Sequence, residues 1–379
     1  MKTYPISESQ SFWLDLARGL AALLVATGHI RAHFFGLYSE ATIQDFWAKL
    51  FFLFFGLGHE SVMLFFVMSG LLIAPKFLNP SAAYGDYLAK YAVARLSRIY
   101  IVAIPALLLS IAVAWTAQGI WGFSHSYQGD NCRPSGADLG AALLFLNNGF
   151  VETICSLGPY WSIHNEVFYY FLWPAIALLF LLPARTAHRI VALAFLAIIG
   201  GALFVLDEFD THNTLLLFPI WVLGGLSVLV RRIPGPFVLW AALAFSALIG
   251  PSLIPGNSSF LIEAYVLGIF FTLFFIAARD GPLPGPKVRR TARWLADISF
   301  SLYLTHIIML NFVQTMLHYS FEVSFPMSIR SWSGLALFIA LTVVVLAFAQ
   351  LAYLAFERNT PKVRRYLNSL LIERSDRPA

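Results

Sequence analysis

The chain has 379 residues, of which 59% are hydrophobic and only 12% charged, about half the roughly 25% charge of an ordinary soluble domain, and this excludes a water-solvated globule as its main architecture. An aromatic share of 16% suits lipid-facing helices and interfacial belts better than one soluble core. The formal net charge of +5 does not point to nucleic acid, because Lys and Arg sit in short clusters between apolar runs, a pattern that reports membrane topology rather than a binding stripe.

A spanning helix needs about 20 mostly apolar residues. Ten segments approach that length, at 12–35, 50–77, 99–118, 160–182, 190–206, 213–230, 236–254, 260–278, 295–317 and 333–356. Asp15 and Arg18 interrupt the first apolar run, so it is expected to be retained as a helix rather than cleaved as a secretion signal. Residues 84–98 alternate apolar and basic positions at helical spacing, as a separate interfacial helix on the cytoplasmic side would. Residues 138–150 are apolar but too short to cross.

Basic residues follow every even-numbered segment: Lys76, Arg95 and Arg98, then Arg185 and Arg189, then Arg231 and Arg232, then Lys287, Arg289, Arg290 and Arg293. The opposite connections carry Asp130, Asp207, Glu208, Asp210 and Glu322. By the positive-inside rule both termini are cytoplasmic, including the basic tail from about residue 357. The expected fold class is all-α: a polytopic transmembrane helix bundle of about ten spans. It is read as one membrane domain over 1–379, with no internal repeat.

Intramembrane ionisable groups are functional by default, since each costs several kcal/mol unless paired or facing an aqueous cavity. Asp15 and Arg18 lie three apart on the first segment and can pair. His29 follows Arg18 by eleven positions, three turns plus about 20°, so all three project from one face, with Ala22 and Ala26 leaving room along it. From Phe12 to His29 is about 25 Å along the axis, which puts His29 near the outer leaflet. The plainer alternative makes Arg18 and His29 interface anchors. Glu166 in the fourth segment stands at a depth similar to His29, where it is expected to orient the imidazole or act as a base; the alternative is a carboxylate bonded within the bundle. His164 projects elsewhere.

Ser69 and Gly70 interrupt an aromatic run and read as a close helix contact, with a nucleophilic Ser69 as the alternative, although no Gly-x-Ser-x-Gly surrounds it. Arg95 and Arg98 form an Arg-x-x-Arg pair at the cytoplasmic mouth of the third span, and guanidinium forks suit phosphate. Tyr303 and His306 lie three apart near mid-membrane, where a histidine serves either packing or chemistry. Cys132 and Cys155 both fall outside the membrane, where a disulfide would persist in an oxidising compartment. Neither their number nor their spacing makes a metal site.

Read together, these segments resemble the acyltransferase-3 family of integral-membrane O-acyltransferases of bacterial surface glycans. LDLARGLAALLVATGH resembles the opening motif, SVMLFFVMSGLLI the Phe-Phe-x-x-Ser-Gly segment, ARLSRIY the Arg-x-x-Arg loop, YWSIHNEVFYY the Trp-Ser-x-x-x-Glu segment that begins at Trp161, and ISFSLYLTH the late Ser-x-Ser-x-Tyr-x-x-His segment. The resemblance covers essentially the whole chain. It implies transfer of an acetyl or other short acyl group from cytoplasmic acyl-CoA to a hydroxyl of an extracytoplasmic glycan, at a bacterial inner membrane. It further implies that Arg18 and His29 are the core pair and that Arg95 and Arg98 lie on the donor side. Family members often close with Glu-x-Pro, whereas Glu357 here is followed by RNTP, which leaves its role open. In this reading His29 is either the general base for the acceptor hydroxyl or a transient acyl carrier, with Glu166 orienting it. Arg18 with Asp15 holds donor polar groups or the inner end of the pore, and no metal takes part. The rival reading is a glycolipid or polysaccharide transporter in which the same charges form a polar pathway without acyl transfer.

Overall fold

A computed structural model describes residues 3–78, 84–122, 134–146, 157–182, 184–207, 211–253 and 259–371, and every regular element among them is helical. Cys132 and Cys155 lie outside the described residues. Helix α1 (Glu8–Phe35) begins where the Ser7 hydroxyl accepts from the Gln10 amide, with Glu8 at the positive end of the helix dipole, and stops at Gly36, whose φ of +66° suits only glycine. The second expected segment divides into α2 (Phe46–Phe54), capped by the Asp45 carboxylate on the Ala48 amide, and α3 (Gly58–Ile73), with a turn at 55–57 between them.

The separate interfacial helix expected at 84–98 does not form. Helix α4 runs unbroken through Tyr84–Trp121, with α11 and α13 packed along it. Pro105 lies beyond residues 84–98 and is tolerated inside the bundle. Helix α5 (Gly136–Leu143) is too short to cross, as expected. There follow α6 (Trp161–Phe180), α7 (Thr186–Leu206), α8 (Thr214–Leu226), α9 (Phe237–Ile249), α10 (Phe260–Ala277), α11 (Pro286–Phe321), α12 (Trp332–Ala355) and the basic α13 (Thr360–Leu371).

Among the described residues, seven segments are long and apolar enough to span: Glu8–Glu40, Phe46–Phe77, Tyr87–Trp121, Thr186–Leu206, Phe260–Asp280, Pro286–Phe321 and Trp332–Leu371. Thr214–Leu229 and Phe237–Ile249 are apolar but shorter, and α6 carries His164, Asn165 and Glu166 in its first two turns. The chain is thus a multi-pass helical membrane protein, with each of the ten apolar segments of the sequence helical over most of its length.

Two seams organise the bundle. Helix α1 packs most extensively on α11, the most enclosed span, whose apolar window is 72% buried against 11% for the peripheral α7. Gly19 permits this approach, since a Cβ there would stand 2.6 Å from Leu295 Cβ. The second seam joins α3 to α8: a Cβ on Gly70 would lie 1.8 Å from the Trp221 carbonyl oxygen, and one on Gly224 would lie 2.0 Å from that of Val67. In a bilayer, where lipid is as apolar as leucine, such backbone-to-backbone contact supplies the dispersion that holds helices together. Arg289 pairs with Glu8 at 2.5 Å, Arg232 with Asp280 at 2.7 Å, and Ser7 Oγ donates to the Arg279 carbonyl at 2.8 Å. These exposed contacts add little stability. They do show that the start of α1, the ends of α8 and α10 and the start of α11 share one end of the molecule, called here the basic end.

Candidate active site

Two chambers lie back to back within the bundle. The basic chamber, about 790 Å³ including its mouth, is lined by Arg18 of α1, Ser69 of α3, Arg95 and Arg98 of α4, Glu166 and Tyr170 of α6, and Tyr303 of α11. Arg18 Nη2 reaches Asp15 Oδ1 at 3.4 Å, so the pairing expected from their spacing forms, though at long range. The Nε atoms of Arg18 and Arg95 are buried without a hydrogen-bond partner. Arg95 lies over the rings of Tyr170 and Tyr91 at 5.9 and 6.0 Å. Three guanidinium groups, two of them with a buried Nε–H left unused, make a site matched to an anion rich in acceptor oxygens, such as phosphate.

Glu166 belongs to this chamber and not to His29. Its Oε1 accepts from Ser69 Oγ at 2.6 Å and from Tyr170 Oη at 2.5 Å, and among the described residues no hydrogen bond or ion pair joins it to His29. The expectation that Glu166 orients the imidazole is corrected: residue spacing sets depth along α6, but the rotation of that helix turns the carboxylate towards α3. Ser69 in turn accepts from Trp221 Nε1 at 3.1 Å, so the Ser-Gly pair serves both the α3–α8 seam and this network.

The histidine chamber, about 1170 Å³ including its mouth, is lined by His29, Arg31 and His33 of α1, His59 of α3, Trp161 of α6, His212, and Tyr303 and Asn311 of α11. Behind His29 stands His306, which is 1% exposed. His306 Nδ1 lies 2.9 Å from the Leu302 carbonyl and His29 Nδ1 lies 3.0 Å from that of Val25. A carbonyl only accepts, so each ring is assigned its proton at Nδ1. His306 Nε2 is then an acceptor, and it receives His29 Nδ1–H at 3.1 Å. His29 is left with an unprotonated Nε2, the lone pair a general base requires, on a residue that lines the chamber.

Among the described residues, Tyr303 alone lines both chambers. Its hydroxyl donates to the Pro159 carbonyl at 3.0 Å and meets Ser162 Oγ at 2.6 Å, so the start of α6 anchors it between the guanidinium side and the imidazole side. The structure therefore gathers Arg18, Arg95, Arg98, Ser69 and Glu166 in one chamber, His29 and Trp161 in the other with His306 behind, and Tyr303 at the boundary. His164 is buried against the Phe145 carbonyl, away from both.

Three further participants do not stand out as site residues in the sequence. Tyr170 holds Glu166 one turn back along α6. Asn311 is a polar group in the apolar run of α11, a signal that the cost of intramembrane polar groups supplies. Glu357, whose role the sequence leaves open, reaches across to α11, where its Oε2 accepts from the backbone N–H and the hydroxyl of Ser301 at 3.1 and 2.6 Å. Among the described residues no group of three or more His, Cys, Asp or Glu side chains is arranged to hold a metal.

The multi-pass helical bundle thus carries a cationic chamber on one side of a tyrosine and an imidazole-lined chamber on the other. A family profile for an acyltransferase domain matches residues 11–354, and the chain belongs to that family, acyltransferase-3; it is a membrane acyltransferase that transfers groups other than amino-acyl groups. No curated protein and no solved structure matches the chain.

Proposed function

We propose that the enzyme takes a short acyl group, acetyl in the simplest case, from acyl-CoA at the cytoplasmic face and passes it to a hydroxyl of a glycan on the other side of a bacterial inner membrane. The single observation that carries this reading is the His29–His306 pair, with the free Nε2 of His29 in a chamber separated by Tyr303 from three guanidinium groups. The donor's phosphates dock on Arg95 and Arg98, where the unused Arg95 Nε lies. Arg18, held by Asp15, lines the path along α1, whose eleven residues to His29 cover about 16 Å.

In the transfer step His29 Nε2 takes the proton of the acceptor hydroxyl as its oxygen attacks the thioester carbonyl. The carbon–sulfur bond then breaks, an ester forms, and the proton passes from His29 to the departing CoA thiolate. The Val25 carbonyl fixes the tautomer, His306 adds a second acceptor that steadies the ring, and Glu166 organises the donor chamber through Ser69 and Tyr170. Ten spans with both termini cytoplasmic fit this direction of transfer, because the arginine-rich mouth then faces the side that supplies CoA thioesters.

The test is purified full-length protein in liposomes, with radiolabelled acetyl-CoA on the side of the basic end and glycan on the other. Label is expected on the glycan, with His29→Ala abolishing it and single cysteines introduced near residues 3 and 371 reacting from the donor side. Glycolipid flux without consumption of acetyl-CoA would replace transfer with transport.

A further inference from the structure

The histidine chamber holds a polar group that the protein's own packing leaves unused. Asn311 is 5% exposed and lines the same cavity as His29. Its main-chain carbonyl accepts from the Thr315 hydroxyl at 2.8 Å, but among the described residues its side-chain amide makes no hydrogen bond, and Oδ1 is sealed from bulk water. Other buried amides nearby are spoken for. Asn165 donates to the His212 carbonyl at 2.9 Å and accepts from Thr214 at 2.7 Å, and Gln314 donates to the His33 carbonyl at 2.5 Å.

An orphaned buried amide costs about 1–3 kcal/mol. Buried amides are otherwise nearly always paired, so one left open beside a catalytic base points to a ligand that completes it. Exchanging the amide nitrogen and oxygen leaves the group unpaired all the same.

The chamber also has an aromatic wall. Trp161 is half-buried and lines the cavity; its ring stacks on His59 at 5.5 Å and 17° and meets His212 at 4.3 Å. A flat amphipathic wall and a few convergent polar groups are how ligand sites combine area with orientation. The ligand that satisfies both is a ring with an apolar C–H face for the indole and hydroxyls at its rim for the amide, which is a pyranose. A lipid chain would leave the amide unpaired, and a bare ion would leave the indole unused.

Building on the proposed entry of the acceptor through this chamber, we infer that Asn311 and Trp161 form a sugar-ring subsite that holds the acceptor beside His29. Asn311 binds one rim hydroxyl while another faces the base, so these two residues decide which ring and which hydroxyl is acylated.

The test uses full-length protein in detergent, titrated calorimetrically with methyl α-glycosides of glucose, galactose, mannose, rhamnose and N-acetylglucosamine, without any acyl donor. At least one glycoside is expected to bind, and both Asn311→Leu and Trp161→Ala to weaken it tenfold or more. Because leucine removes an unpaired amide, the ligand-free Asn311→Leu protein is expected to keep or raise its Tm. A series of deoxy analogues is expected to single out one hydroxyl whose removal costs wild type tenfold and Asn311→Leu nothing. The inference is overturned if no glycoside binds wild type, if Asn311→Leu binds as well as wild type, or if no deoxy position distinguishes the two proteins. Acetyl-CoA consumption, measured separately, keeps the two readings apart: glycoside binding without consumption removes acetyl-CoA as the donor and leaves the subsite, and consumption without glycoside binding does the reverse.

Discussion

Replacing His306 by alanine takes away one of two acceptors for the Nδ1 proton of His29 and leaves the other. The Val25 carbonyl still lies 3.0 Å away, so the tautomer with a free Nε2 survives. What is lost is one neutral hydrogen bond, about 0.5–1.5 kcal/mol, which lowers turnover by about 2- to 10-fold. Replacing His29 removes the base itself and is expected to cost about 10²- to 10⁴-fold. His306→Gln keeps an acceptor oxygen near the position of Nε2 and is expected to recover most of the loss. The assay is kcat for acetyl transfer in proteoliposomes at saturating donor, with Tm recorded beside it because His306 is 1% exposed and its truncation leaves a cavity. A His306→Ala protein with wild-type Tm and turnover as low as His29→Ala would refute the assignment, since His306 would then have to touch the reacting groups.

Changing both Arg95 and Arg98 to alanine removes charge-assisted bonds of about 1.5–3 kcal/mol each, so the Michaelis constant for acetyl-CoA is expected to rise at least tenfold while the acceptor constant holds; an unchanged donor constant removes both residues from the site. Gly70→Ala sets a methyl 1.8 Å from the Trp221 carbonyl and forces α3 from α8, at a cost of about 1–3 kcal/mol or more; thermal unfolding that matches wild type would contradict the seam. Glu166→Gln keeps an oxygen for Ser69 and Tyr170, whereas Glu166→Ala orphans both hydroxyls at about 1–3 kcal/mol each. The Tm of the alanine variant is therefore expected to fall well below that of the glutamine variant. Glutamine should also retain turnover, because Glu166 bonds to Ser69 and Tyr170 and not to His29; a dead Glu166→Gln enzyme would restore the carboxylate as a base.

Relations between residues close along the chain are legible in the sequence. The apolar lengths mark ten helical segments, and the shared helical phase of Asp15, Arg18 and His29 anticipates one residue stripe running between two chambers. The Ser69–Gly70 contact is readable for the same reason, since a missing side chain invites a neighbouring backbone. Residues 84–98 mislead because an amphipathic surface helix and the extension of a span beyond the bilayer have the same composition; whether the chain bends between them depends on what α4 packs against.

Depth along a membrane normal follows from counting residues at a fixed rise, and so sequence alone sets Arg18 and His29 on one face about 16 Å apart. Rotation about each helix axis is set by packing against helices distant in the chain. It takes the packed bundle to bring His306 rather than Glu166 to His29, to turn Glu166 to Ser69, and to make Tyr303 the divider of two chambers. Within lipid the apolar pattern says little about which face of a helix looks inward, because hydrocarbon and protein interior are equally apolar. The partners of the polar groups are fixed by close packing at glycines and by hydrogen bonds between helices far apart in sequence.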